Sequence, residues 1–234
     1  MRAHGDGTNL QRYARILDCC EINSSFHRPH RPAVYERWAA STPPGFRFAV
    51  KLPRTITHDL ELRRTAGLLD VFLAECAGLG EKRGPLLVQL PPSFEFNRRV
   101  VGTFLRTLRA RFAGDVVCEP RHSSWSSAAA DSVLVDYRVA RVAADPHRAP
   151  GLDRPGGWAG LLYIRLHGSP RTYWSSYGAD RLFQYARMMA DSQAAERWCI
   201  FDNTASGAAF GDALTLTDLL TDGRLPLSIS AVGR

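Results

Sequence analysis

Arg165 and His167 stand two residues apart at the end of an apolar run, Leu161 to Leu166, and Gly168, Ser169 and Pro170 stop that run at once. Alternate residues of a strand face one side, so a strand here sends Tyr163, Arg165 and His167 one way and Leu162, Ile164 and Leu166 the other. An imidazole of ordinary pKa, about 6.5, takes or gives a proton near neutral pH, and a guanidinium grips carboxylate or phosphate. The plainer reading is that the two side chains pair with carboxylates in a buried polar layer. Glu119 and Arg121 repeat the arrangement at the end of another run. Glu21 and Glu119 are the carboxylates best suited to general base work, with His167 as acid or base. Lys51, Arg121 and Arg165 are the groups to bind an anion.

Further polar residues fall at the ends of apolar runs: Asn23, Gln89, Asp145, Asp202 and Asn203. Asn23, Gln89 and Asn203 join the substrate-binding set, as do Tyr173 and Tyr177 from the loop after His167, where Trp174 also stands. The stretch Asn203 to Ala209 precedes a helix and contains Ser206 and Gly207, a place where free backbone amides suit phosphate. The set is read without a metal or other cofactor. A divalent ion stays open as the alternative, since Glu21, Glu119, Asp145, His167 and Asp202 are of ligating types, although no HxH or HExxH spacing supports it. Lys51 as a Schiff-base nucleophile is another alternative.

The chain has 234 residues, 45% of them hydrophobic and 23% charged, which fits a single globular domain over 1–234. No run approaches the length of a bilayer span and the N-terminal stretch is polar, so the expected setting is the cytoplasm with no membrane partner. The five cysteines, Cys19, Cys20, Cys76, Cys118 and Cys199, contain no CxxC and read as reduced core thiols. A net charge of +7 raises nucleic acid as a partner. The arginines are scattered rather than clustered, however, which favours the blander reading. Lys51 and Lys82 are the only lysines. A compact ammonium at Lys51, where the chain otherwise writes arginine, therefore suggests a specific need.

These residues need elements to carry them, and strands alternate with helices throughout. Strands are expected at Asp18–Asn23, Phe46–Leu52, Pro85–Leu90, Asp115–Glu119, Val139–Ala144, Leu161–Leu166 and Trp198–Asp202. Helices are expected from an Asn9 cap through Leu17, then over 34–40, 66–79, 99–112, 126–137, 179–190 and 212–220. Alternation of this kind argues for a parallel sheet. Polar residues at the C-terminal end of every strand point to a (β/α) barrel, whose chemistry gathers at that mouth. No GxGxxG or GxxxxGK[ST] follows a strand.

The phrases EINSSF (21–26), PPGFRFAVKLPRTITH (43–58), CEPRHSSW (118–125), YIRLHG (163–168) and DNTASGAA (202–209), in this order, resemble the YecE-like family, a domain of unknown function. The resemblance implies a TIM barrel with a polar pocket and no established activity. It also implies a further strand of the type GTSGW ahead of the first helix, so that the seven strands seen here lack the first of eight. The sheet would then be open between Asp18–Asn23 and Trp198–Asp202, and self-association through that edge is expected. The chain departs from the family pattern at His27, Pro120 and Asp202. The reading favoured is an enzyme of hydrolase or isomerase type acting on a phosphorylated or anionic substrate. A nucleic-acid-binding or nucleic-acid-processing protein and a non-catalytic ligand-binding barrel remain as alternatives.

Overall fold

Each apolar run is short, bounded by turn residues and followed by a segment of helical periodicity that carries the chain back to the same end, which is the recipe for parallel strands. The computed structural model describes residues 6–147 and 149–221. The chain begins with helix α1 (Asn9–Tyr13), strand β1 (Cys19–Ile22), helices α2 (Ser24–His27) and α3 (Pro32–Ala40), and strand β2 (Arg47–Lys51). It continues through α4 (Ala66–Cys76), β3 (Arg83–Gln89), α5 (Arg98–Arg109), β4 (Val116–Glu119), α6 (Ala128–Asp136), β5 (Val139–Arg141) and β6 (Ala143–Asp145). The two-residue β7 (Gly156–Gly157), then β8 (Leu161–Leu166), α7 (Ala179–Asp191), β9 (Glu196–Phe201) and α8 (Ala208–Thr221) complete the order.

Strands β1 to β5 pair in sequence, all parallel, and β7 adds an antiparallel edge to β5. Strands β6, β8 and β9 form a second parallel set. Only Val142 separates β5 from β6. Its N–H donates to Cys118 O at 2.9 Å, whereas the N–H of Ala144 turns to Leu152 O at 3.1 Å. One strand therefore lies against β4 with its first half and against β8 with its second, and seven parallel segments make one curved surface. Among the described residues β1 and β9 do not pair with each other. A groove of about 580 Å³ lies between them, lined by Cys19, Cys20, Cys199 and Phe201 and covered by Phe210 and Leu216 of α8. That is where the sequence places a gap; the expected upstream strand lies outside the described residues.

Three apolar layers follow from the strand alternation. Inside the curve lie Ala49, Leu87, Val117, Ala140, Val142, Ala144, Tyr163, Trp198 and Ile200. Outside it, Phe48, Val50, Leu86, Val88 and Val116 meet Leu69, Phe72, Phe104 and Leu108 of the helices. Leu162, Ile164 and Leu166 meet Leu182, Ala186 and Leu216. A fully buried side chain of this size contributes ~1.5–3 kcal/mol.

Several boundaries differ from expectation. Thr8, not Asn9, caps α1: its Oγ1 accepts the Gln11 N–H at 3.2 Å and its own N–H donates to Gln11 Oε1 at 2.8 Å, a reciprocal cap. The helix ends at Tyr13 rather than Leu17, leaving Ile16 exposed. Helix α4 stops at Cys76 because a tighter 3₁₀ turn follows, in which Gly78 lies so near Pro32 O that a Cβ would sit 2.5 Å away. Helix α8 starts at Ala208, four residues before Asp212, because the Asp212 side chain points inward and does not cap. All five cysteines are free thiols. No helix among the described residues is long and apolar enough to cross a membrane.

Candidate active site at the strand ends

Strand β8 places Arg165 on the inner face, 1% exposed, with its neighbours in register on β6 and β9. Its Nη2 donates to Glu21 Oε1 at 2.6 Å and its Nε to Glu21 Oε2 at 3.1 Å, while Nη1 donates to Glu119 Oε2. Glu21 arrives from β1 and Glu119 from β4, so one guanidinium ties three strands together. Tyr163 OH donates to Glu21 Oε2 at 2.7 Å. Glu119 Oε1 accepts from Gln89 Nε2 at 3.1 Å and from Arg121 Nε at 2.9 Å.

His167 stands two residues beyond Arg165. The register Leu166 with Phe201 puts it beside Asp202, and its Nδ1 lies 3.0 Å from Asp202 Oδ2. Its Nε2 lies 3.5 Å from Glu119 Oε1. Burial favours the neutral imidazole, but the bonds to Asp202 and Glu119 outweigh it and raise the His167 pKa above the ordinary histidine value. Asp202 moves the opposite way: burial opposes its charge, yet His167 and Arg165 hold it below the usual carboxylate range. Burial likewise opposes the charge of Glu119, and Arg165, His167 and Arg121 overcome it, holding this carboxyl well below its usual range. Arg165 stays firmly charged because Glu21 and Glu119 more than offset its desolvation.

Lys51 closes β2 on the same inner face. Ser25 Oγ donates to Lys51 O at 2.7 Å, which fixes α2 against the strand end and sets the Phe26 ring 4.1 Å from Lys51 Nζ. Among the described residues no carboxylate lies within ion-pair distance of that ammonium. Burial and then the Arg165 charge pull its pKa down to about 8, with Glu119 and Glu21 opposing. Three carboxylates (Glu21, Glu119, Asp202) thus face three cations (Lys51, Arg121, Arg165), and a protonated His167 would carry the balance positive.

The structure brings Glu21, Lys51, Gln89, Glu119, Arg121, Arg165 and His167 to one mouth. Tyr173 joins them at its rim, 46% exposed, with its ring 5.8 Å edge-on to His167 and its N–H donating to His167 O. It holds φ at +65°, a left-handed conformation costly for a residue with a side chain. Tyr177 and Asn203 turn away from the mouth. The Tyr177 hydroxyl accepts from Gly168 N–H at 2.9 Å and donates to Asp145 O at 3.1 Å, and Asn203 Nδ2 donates to Ser175 O at 3.0 Å and Asp212 Oδ2 at 2.7 Å. Asn23 sits ahead of α2 with a buried Oδ1 that has no bonding partner among the described residues. In the loop meant to cradle phosphate several amides are engaged within the protein: Ala205 N–H donates to Tyr173 O, Gly207 N–H to Thr204 O and Ala209 N–H to Asn203 O.

Two participants escape the sequence reading in their roles. Asp202 is visible as a strand-end acid, but its pairing with His167 depends on the β8 to β9 register. Tyr163 shares the parity of Arg165 and His167, and that shared face was the signal for its contact with Glu21. Among the described residues no three acidic, histidine or cysteine side chains come together as a cation site. Glu21, Glu119 and Asp202 each turn an oxygen toward Arg165 instead.

Residues 2–230 match a family described as "Protein of unknown function DUF72". The UPF0759 protein YecE of Escherichia coli K12 is 37% identical over 87 residues, which are 37% of this chain and 32% of that protein. The match therefore spans about a third of the curated relative's length. Two solved structures share the fold. A DUF72 family protein of Enterococcus faecalis V583 superposes with a TM-score of 0.79 at 19% identity, covering 91% of this chain and 88% of that one. One from Thermotoga maritima MSB8 gives 0.72 at 24% identity, covering 87% and 85%.

Proposed function

This chain belongs to the DUF72 family of proteins of unknown function, and on that premise we propose an enzyme of hydrolase or isomerase type that moves a proton at His167 on a small anionic substrate. The observation that carries the reading is the pairing of buried His167 with half-buried Asp202 at the strand ends. A carboxylate on Nδ1 fixes the imidazole's orientation and favours its charged form, the arrangement that makes a histidine an effective acid. Glu119, locked by Arg165, Arg121 and Gln89, does not exchange protons near neutral pH. It holds the other side of the ring in a fixed field. Lys51 and Arg121 supply the positive charge that would meet the substrate's anionic group.

The reading is tested by thermal shift with inorganic phosphate, sugar phosphates and small carboxylates. Saturable stabilisation is expected, of about 2.7 kcal/mol at one hundred times Kd. It should fall in Lys51→Gln and in Arg121→Gln, while His167→Asn keeps binding and loses turnover of whichever compound is a substrate. Absence of stabilisation by every anion, or stabilisation unchanged in both charge variants, overturns it.

The rim supports a second reading as a nucleic-acid-binding protein. Tyr173 and Trp174 are each 46% exposed and Arg171 lies 4.5 Å over the Trp174 ring, a surface on which bases stack. Binding of single-stranded oligonucleotides that weakens steeply with salt and is lost in Trp174→Ala would favour it.

A further inference from the structure

We propose that Lys51 is a catalytic nucleophile which captures the carbonyl carbon of an aldehyde or ketone bearing a carboxylate or phosphate, forming a protonated imine. The location rests on the anionic-substrate reading above; the reacting bond is new.

The two lysines of the chain differ sharply in their surroundings. Lys82 Nζ is held by three oxygens: Ala39 O at 2.7 Å, Thr42 O at 2.7 Å and Thr42 Oγ1 at 3.1 Å. Lys51 Nζ has no oxygen partner among the described residues, and the face of Phe26 lies 4.1 Å from it. A buried ammonium normally acquires a carboxylate, because desolvation without one is expensive. Three carboxylates occupy this mouth, yet each is turned to another cation: Glu21 and Glu119 to Arg165, Glu119 also to Arg121, and Asp202 to His167 and Arg165. The amine therefore stays available to a ligand. The same surroundings disfavour its charge, so a substantial share is the neutral, nucleophilic form near pH 8.

The neutral Nζ forms a bond to the carbonyl carbon while the C=O π pair moves to oxygen, which takes up a proton. The resulting carbinolamine loses water, so that carbonyl plus Lys–NH₃⁺ give the protonated imine plus H₂O. The iminium then draws electrons from the adjacent carbon, and a proton there becomes removable. Water reverses the first step and releases product. Arg121, 18% exposed beside the pocket, is the cation left for the substrate's anionic group.

The test is reductive trapping of the full chain with pyruvate, glyoxylate or dihydroxyacetone phosphate and cyanoborohydride, read by intact mass and peptide mapping. One adduct per chain is expected, on the Lys51 peptide, with a rate that follows an amine of apparent pKa near 8. Adduct on Lys82 or on the N-terminal amine in its place, or labelling at Lys51 no faster than at Lys82, overturns the proposal, and wild-type protein alone gives that result. Lys51→Arg keeps the charge but cannot form the imine. It should lose the adduct, which separates the reactivity of the amine from its charge. Phosphate protection without trapping would sink this inference and leave the anionic-substrate reading standing, whereas loss of protection by every anion would sink that reading first.

Discussion

Arg165 and Glu21 meet through two N–H···O bonds of 2.6 and 3.1 Å, with both side chains 1% exposed, and they join β8 to β1 although no backbone ladder runs between those strands. Removing one member of such a pair leaves buried charge behind, at a cost of about 3–5 kcal/mol. Arg165→Ala should lower unfolding stability in urea by that amount. Glu21→Gln should cost less, because Glu119 and Asp202 still face the guanidinium. A loss below about 1 kcal/mol for Arg165→Ala would show that the cluster is not a structural tie.

The His167 and Asp202 pair predicts a stability profile with pH. The His167 pKa is raised on folding, so its contribution is complete below the unfolded value, about 6.5, and is lost as pH rises through the folded one. The Asp202 pKa is lowered, so its contribution is present above about 3.9 and is lost as pH falls through the folded value. Wild type minus His167→Gln, measured by denaturation from pH 4 to 9, should shrink on the alkaline side. His30 and His58, both shifted downward by burial, cancel in that difference. An equal difference at every pH contradicts the assignment.

Asp202→Asn should lower the His167 pKa, since a carboxylate bond to Nδ1 becomes a neutral one. Titration of the imidazole by NMR reads this directly. An unchanged midpoint would mean that Glu119 alone sets the ring's charge.

Lys82 closes the C-terminal end of α3 by donating to the carbonyl oxygen of Ala39 and to both the carbonyl and the hydroxyl oxygen of Thr42 just beyond the helix. Lys82→Ala should cost about 1.5–3 kcal/mol, the range for bonds to a charged group, and should leave reductive trapping at Lys51 intact. Thermal unfolding and mass mapping check the two halves separately.

Strand order and the shared face of Tyr163, Arg165 and His167 were legible because period two survives burial, and the same alternation turns Ala49 with Lys51, Leu87 with Gln89 and Val117 with Glu119 inward in the structure. Helix edges were less legible: the inward Asp212 depends on tertiary partners, whereas the Thr8 cap rests on Gln11 three residues on, a local pattern that the sequence does carry. The site divides along the same line. Residues on strands converged as their parity requires, while Tyr177, Asn203 and the loop after β9 went elsewhere. Loop backbone meets its own bonding needs first, and the sequence carries no record of which amides Tyr173 O, Thr204 O and Asn203 O would take.

Among the described residues β1 and β9 do not pair, and the sheet they flank is a strip with two ends. A closed ring fixes its own circumference, because widening it means breaking a ladder of backbone bonds, whereas a strip changes curvature by small rotations shared among its strands. Side chains span that break in place of a ladder, Arg165 of β8 to Glu21 of β1 at the top and Arg47 of β2 to Glu196 of β9 at the foot. Polar clasps of this sort are weakened by competing ions to an extent that depends on exposure. The foot is about a third exposed and the top is sealed, so salt should weaken the pair of Arg47 and Glu196 more than the pair of Arg165 and Glu21.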